Sequence, residues 1–233
     1  MSVNRQLRIA EIEVNASPTD ERIVGIFRYE SEQKGKRGPV VVLIAEIAST
    51  LYVYEQLLDV INNGIERLRP LISGVDTDPM ARFEKLVQGL NEAVAQFIQQ
   101  EPSPIAWNRV NLFLIEIQDE HLCLTGTGHL CNLFLQRQPD GTSRTFDLFG
   151  SLEQPAEVNP EKLFSGLIFG ELKTGDALFA GTQYFERLRQ ELTLVPRLKN
   201  LPPVTAALDI QQTLEAQRIP DDFGAVILAQ VAL

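Results

Sequence analysis

The stretch PVVVLIAEIASTLYVYEQLLDVINNGIERLRP, residues 39–70, decides the fold. Its residues 40–45 are all apolar, as is typical of a strand that is buried on both faces. Apolar residues then recur at helical spacing over residues 51–68, between Ser49, which can cap a helix, and Pro70, which ends one. An apolar strand followed by a helix with one apolar stripe predicts a helix that covers one face of a sheet.

Outside this stretch, runs of predicted strands alternate with pairs of predicted helices. Two predicted strands precede it, and a charged hairpin tip at residues 32–39 leads into it. A second amphipathic helix follows, with Asp78 as N-cap and Pro79 at its first position. Consecutive strands, two shorter helices and a last strand complete the order. The other predicted strands are residues 7–14, 22–29, 110–118, 121–127, 129–137, 144–149, 163–172, 176–180 and 223–231, and the other helices are residues 79–98, 184–192 and 205–218.

This order predicts an α+β fold of two stacked, mainly antiparallel sheets, flanked on each outer face by a helix pair. Residues 1–233 are expected to form a single domain. A parallel doubly wound fold is not expected, because it would alternate strands and helices. Hydrophobic residues make up 44% of the chain and charged residues 22%, which is typical of a folded protein.

Acidic residues outnumber basic ones. Lys and Arg total 21 and Asp and Glu total 31, so the net charge is −10. This charge disfavours a phosphate backbone or anionic lipid as a partner, so nucleic-acid binding is not expected. No apolar run is long enough to span a membrane, and residues 1–14 lack the apolar stretch of a signal peptide. We therefore expect no membrane insertion and a cytoplasmic location, which fits the presence of only two cysteines.

Four short stretches carry a family resemblance. They read IAEIAST at residues 44–50, GHLC at residues 128–131, GDALFAGTQY at residues 175–184 and DDFG at residues 221–224. In this order they resemble the signature blocks of the metal-dependent type 2C (PPM-type) serine/threonine phosphatases. The resemblance places Glu46 at the position of a metal-binding aspartate of that family. It covers most of the chain and implies the layered fold described above.

The resemblance also implies the chemistry, which is phosphoester hydrolysis by water held between two Mn²⁺ or Mg²⁺ ions. Such ions require several converging carboxylates. Here the acid of the second block and the arginine after it are replaced, and Gln183 replaces the acid of the third. The vestigial metal residues that remain are Glu46, Asp221 and Asp222.

These losses predict a catalytically degenerate phosphatase-like domain, a pseudophosphatase, that needs no cofactor and works as a regulatory or structural protein-binding module. The alternative is an active but divergent Mn²⁺- or Mg²⁺-dependent serine/threonine protein phosphatase. The two hypotheses differ in whether Glu46, Asp221 and Asp222 still hold metal. The acidic chain favours a protein partner with a basic face.

Each candidate residue also has a simpler interpretation. Glu46 can be a solvated residue at the end of a strand. Asp221 and Asp222, which follow a proline, can shape a turn. His121 and His129 have no acidic or cysteine neighbour at ligand spacing, which favours structural roles.

The two cysteines, Cys123 and Cys131, are equally far from Thr127 in the sequence. A tight hairpin at Thr127 would place them opposite each other. They can then be a redox switch or simply two small buried residues.

The proposed partner-binding surface is the rim of the former active site with its surrounding loops. These loops are residues 32–38, 154–162 and 195–204. The last contains Pro196, which together with two further prolines stiffens it and lowers the entropy cost of binding.

Overall fold

The computed structural model describes residues 6–14, 22–33, 36–49, 51–72, 78–101, 103–149, 159–189, 193–217 and 224–232. The strands in these ranges are β1 (Gln6–Val14), β2 (Ile23–Gln33), β3 (Lys36–Ile47), β4 (Val110–Gln118), β5 (His121–Thr127), β6 (Leu130–Arg137), β7 (Ser143–Phe146), β8 (Ile168–Glu171), β9 (Ala177–Thr182) and β10 (Gly224–Ala232). The helices are α1 (Tyr52–Ile72), α2 (Pro79–Gln100), α3 (Gln183–Leu188), α4 (Leu194–Asn200) and α5 (Pro203–Gln217).

The strands form two five-stranded sheets, in the orders β2-β3-β4-β5-β8 and β1-β10-β9-β6-β7. Every pairing between named strands is antiparallel. Helices α1 and α2 pack together on the outer face of the first sheet, and α3, α4 and α5 pack on the outer face of the second. The predicted fold class, two stacked antiparallel sheets between helical layers, is confirmed.

Strand β3 shows why the layers form. Val41 and Leu43 face α1 and α2, whereas Val42 and Ile44 face the second sheet, and all four are fully buried. A strand that is apolar on both sides must be covered on both sides to remove this surface from water. The second sheet covers one side and the helix pair covers the other.

The predicted hairpin between the two cysteines is wrong. Strand β5 belongs to the first sheet, where Cys123 lies opposite Glu116, and β6 belongs to the second, where Cys131 lies opposite Gly181. Gly128, between these strands, adopts a φ of 80° that favours glycine and lets the chain cross from one sheet to the other. Burial raises the pKa of the Cys123 thiol to about 12 and also raises that of Cys131, which disfavours the thiolate form of both.

Two predicted stretches also differ from the structure. Residues 195–204, expected to be a loop, contain most of α4 and the start of α5, with Leu198 buried against the second sheet. The strand expected over residues 163–172 is shorter, because the backbone of Phe164 pairs with the side chain of Asn91 on α2 instead of with a strand. Phe164 N donates to Asn91 Oδ1 at 2.9 Å, and Asn91 Nδ2 donates to the Phe164 carbonyl at 3.0 Å.

One side of the sandwich is closed by β1 and β2, which are edge strands of different sheets. Glu13 on β1 reaches across and accepts a hydrogen bond from the Ile26 backbone N–H on β2 at 2.8 Å. Arg28 on β2 lies 3.6 Å from the Glu11 carboxylate on β1. Charged side chains therefore join the two edges where each lacks a further strand.

No helix in the described ranges is long and apolar enough to cross a membrane.

A buried ion pair, which sequence patterns did not indicate, joins the helix layer to the first sheet. Arg82 on α2 donates to Glu116 on β4 through Nη2 and through Nε at 3.2 Å, and both side chains are 1% exposed. Burial raises the pKa of Glu116 and the Arg82 guanidinium opposes that rise. Arg82 Nη1 and Glu116 Oε2 have no hydrogen-bond partner among the described residues, so the pairing does not compensate fully for desolvation.

We expect Arg82→Met to lower the free energy of unfolding by about 3–5 kcal/mol, because it leaves the Glu116 carboxylate buried without its cation. The double variant with Arg82→Met and Glu116→Leu should regain most of that loss, since it buries no charge. Urea denaturation of the wild type and of the two variants measures both values. A double variant as unstable as the single one would contradict this account.

Candidate functional site

The candidate site lies at the end of β3, where the sequence places Glu46. In the antiparallel register of β3 and β4, Glu46 lies opposite Asn111. The chain then leaves the sheet through a turn in which Ala48 N donates to the Arg109 carbonyl at 2.9 Å. Ser49 Oγ accepts from Leu51 N at 3.3 Å just before α1 begins, which is close to the capping role predicted for it.

Glu46 is a buried carboxylate, with only 5% of its surface exposed, and not the solvated strand-end residue that its simpler interpretation predicted. Its Oε1 accepts a hydrogen bond from Asn111 Nδ2 at 2.8 Å. The same amide accepts, through Oδ1, a hydrogen bond from the His129 backbone N–H at 2.7 Å. Asn111 thus connects the end of β3 to the crossing between the two sheets.

Gly128 is required for this connection. A Cβ at Gly128 would collide with Asn111 Oδ1 and with the Val110 carbonyl, and its positive φ is strained for any other residue. The His129 side chain that follows is exposed, so this segment contributes its backbone N–H, and not its imidazole, to the buried network. The glycine of the second signature block therefore keeps a structural role here.

The end of β9 lies beside the start of β10 in the second sheet. Thr182 is fully buried at the end of β9, and its Oγ1 accepts from Ala225 N at 3.1 Å. A Cβ on Gly224 would lie 2.7 Å from that Oγ1, so β10 begins in close contact with β9. Gln183 starts α3 directly after Thr182. Asp221 and Asp222 precede β10 in the sequence and lie outside the described residues.

The Gly-Asp pair retained in the third block lies at the other end of β9. Asp176 is buried, and its two carboxylate oxygens accept backbone N–H groups, from Arg137 at 2.8 Å and from Lys173 at 3.0 Å. Gly175 before it has a φ of 91°, which the tight turn requires. This carboxylate stabilises a turn.

The two histidines lie apart. His121 starts β5 opposite Glu171 on β8, and His129 follows the crossing at Gly128. Within the described ranges, no group of three or more His, Cys, Asp or Glu side chains could hold a metal ion.

The donor set in the described part of the site does not fit two divalent ions. Of the predicted metal residues it contains Glu46, and one oxygen of that carboxylate already accepts from Asn111. Gln183 is neutral, and an exposed imidazole such as that of His129 suits transition metals better than Mg²⁺.

Solved structures of serine/threonine phosphatases share this architecture. The catalytic domain of the serine/threonine protein phosphatase PstP, in complex with two manganese ions, is 14% identical over 99% of this chain and 100% of its own, with a TM-score of 0.63. The S. agalactiae serine/threonine phosphatase is 11% identical over 97% of this chain and 99% of its own, with a TM-score of 0.63. PppA, a regulatory component of T6SS in Pseudomonas aeruginosa, is 13% identical over 98% and 100%, with a TM-score of 0.64.

The chain therefore has the type 2C (PPM-type) phosphatase fold, as its four short stretches implied. At these identities the similarity establishes the fold alone. No protein-family model and no curated protein matches the sequence.

We expect Asn111→Asp to destabilise the protein at neutral pH, because it places a second carboxylate beside the buried Glu46. Like charges at this distance raise the pKa of one of the two groups above its unfolded value. The stability of the variant relative to wild type should then be lost as pH rises through the raised pKa and be fully regained only on acidification to about pH 4, the pKa of an unfolded-state carboxyl group. Thermal unfolding measured across this pH range tests the sign.

The matched control exchanges the two groups. A double variant with Glu46→Gln and Asn111→Asp retains one amide and one carboxylate and should be close to wild type at neutral pH. If it is as unstable as Asn111→Asp alone, the pairing of these two side chains does not determine the effect.

Proposed function

We propose that this chain is a catalytically degenerate phosphatase-like domain that works by binding another protein, as a regulatory or structural subunit. The observation that carries the proposal is the contact between Glu46 and Asn111. The carboxylate at the expected metal-ligand position is buried and accepts an amide N–H at 2.8 Å. An N–H donor cannot itself bind a cation, so this contact engages one of the two carboxylate oxygens with the protein's own amide.

The residues around Glu46 support the same proposal. Ile47 takes the place of the flexible glycine of the first block, and its branched side chain is buried in the core beneath α1 and α2. Gln183 supplies no charge at the third block, and no arginine follows Gly128 to bind phosphate in a bidentate manner. A fold that loses its ligands keeps its surface, and binding is the function that such a surface can still perform.

The competing proposal is an active, divergent Mn²⁺- or Mg²⁺-dependent phosphatase. It is favoured by the acidic pair Asp221 and Asp222, which is retained before β10. Two carboxylates there, together with Glu46, would form a smaller donor set for metal than the family has.

The proposed partner is a protein with a basic face, because the chain carries a net charge of −10. Attraction of this kind accelerates the encounter of the two proteins and weakens as salt screens it. The proposed setting is the cytoplasm, which agrees with two free, buried cysteines.

With purified protein, excess Mn²⁺ and an aryl phosphate or a phosphopeptide, we expect hydrolysis at the background rate. Enzymes typically turn over at about 1–1,000 per second. A turnover near 1 per second that Asp221→Asn abolishes would reject the hypothesis of a degenerate site and establish an active, divergent phosphatase.

A binding measurement complements the assay. Titration of Mn²⁺ into wild type and into Asp221→Asn, followed by electron paramagnetic resonance of the free ion, should show equal, weak uptake. Uptake by the wild type that is lost in the variant, without turnover, would mean that metal is held for structure.

A further inference from the structure

Helices α1 and α2 leave a groove between them with a volume of about 320 Å³. Half of its lining residues are apolar, and the other half are polar. A cavity of this size, with apolar surface and a few polar groups, is typical of a site for a small molecule. The apolar lining residues are Val60, Gly64, Ala93 and Phe97, and the polar ones are Asn63, Arg67, Gln96 and Gln100.

The two helices that form the groove are antiparallel neighbours. Only residues 73–78 separate them in the sequence, and a short connection places consecutive helices side by side in opposite directions. Their contacts fix the alignment. A Cβ on Gly64 would lie 2.7 Å from Leu90 Cδ2, and a Cβ on Gly89 would lie 2.8 Å from Leu68 Cδ1. Each glycine therefore lies against a leucine of the other helix.

This alignment gives the groove two unlike ends. Arg67 directly precedes the leucine that contacts the early part of α2, so it lies at one end of the groove. Val60 lies about two turns earlier on α1, level with Phe97 in the later part of α2. The distance between these ends is roughly 10 Å at the helical rise. The groove is thus cationic at one end and apolar at the other.

The guanidinium of Arg67 is available to a ligand. The residue is exposed, and within the described part of the chain it forms no hydrogen bond or ion pair. Asn63 lies four residues earlier on the same face of α1, so both side chains can donate to one carboxylate. Glu66 lies towards β2, where burial and then the Glu66 charge raise the pKa of Tyr29 to about 12. The one charged residue among the described lining residues is therefore a cation.

The size of the groove favours a small molecule over a protein. A stable protein interface buries about 800 Å² on each partner, which exceeds what two helical turns can offer. A ligand that matches both ends has an anionic group and an apolar body, and its length is roughly 10 Å.

We propose that the α1–α2 groove binds a small organic carboxylate with an unbranched apolar body. Its carboxylate pairs with Arg67 and Asn63, and its apolar body lies between Val60 and Phe97. This site is separate from the proposed function, because it lies on the outer helical layer, whereas Glu46 lies at the end of β3.

The probe is octanoate, whose extended chain has a similar length to the groove. The comparison compound is octylamine, whose ammonium group reverses the charge. Backbone-amide NMR of the full chain follows both titrations at physiological salt, where charges more than about 8 Å away are largely screened. We expect octanoate to shift the amides of residues 60–67 and 93–100 in a saturable manner, and octylamine not to do so. No saturable shift with octanoate, or equal binding of octylamine, overturns the proposal.

Two exposed arginines provide a matched pair of variants. Arg144 on β7 is exposed like Arg67 and likewise forms no hydrogen bond or ion pair with a described residue. Arg67→Gln should weaken octanoate binding about tenfold, because a charge-assisted pair is lost, and Arg144→Gln should leave it unchanged. Equal weakening by both would assign the binding to net charge and reject the groove.

The apolar part of the site is tested by Ala93→Gln, which fills the groove with an uncharged side chain of good helix propensity. We expect at least about fivefold weaker binding with an unchanged melting temperature. Unchanged affinity would contradict binding in the groove. These outcomes are independent of the phosphatase assay: turnover would reject the degenerate site, whereas failure of octanoate to bind would reject this groove and leave the degenerate site standing.

Discussion

The structure depends on the need to cover both faces of β3 and β4. Their side chains are buried on the side of α1 and α2 and on the side of the second sheet. A single sheet with helices on one face would leave Val42, Ile44 and Phe113 in water. The second sheet covers one face of β3 and β4, and the helix pair covers the other. The chain passes from the first sheet to the second at Gly128.

That crossing also connects to the candidate site through hydrogen bonds. The Gly128 turn packs onto Asn111, and Asn111 in turn holds Glu46. A carboxylate that serves this network stabilises the junction of the two sheets. One oxygen of the carboxylate at the candidate site is thus hydrogen-bonded within the protein.

Helices with strong apolar periodicity could be predicted from the sequence, but contacts between residues that depend on strand pairing could not. The apolar stripe over residues 51–68 and the Asp78 cap of α2 are local signals. Both helices form, and the Asp78 carboxylate accepts a hydrogen bond from Ala81 N at the start of α2.

In contrast, the proximity of Asn111 to Glu46 arises from the register of β3 and β4, two strands separated by both helices in the sequence. Nothing near Asn111 in the sequence indicates that neighbour. The burial of Arg82 was missed for a different reason, since an arginine on an amphipathic helix is normally exposed. The short helix α4 was missed because several prolines close together, beginning with Pro196, are typical of a loop. Proline is, however, tolerated in the first turn of a helix, which is where Pro196 lies.

The joined edges of β1 and β2 have a consequence for how the protein can assemble. Many proteins take up a partner by β-augmentation, in which an extended peptide adds to an open sheet edge through its backbone. At this side of the sandwich, the Glu13 carboxylate already accepts the Ile26 N–H, and Arg28 lies beside Glu11. An incoming strand would have to displace these charged groups before it could form its own backbone ladder. Recruitment by strand addition is therefore disfavoured along this edge, whereas the opposite edges of the two sheets end in the short strands β7 and β8.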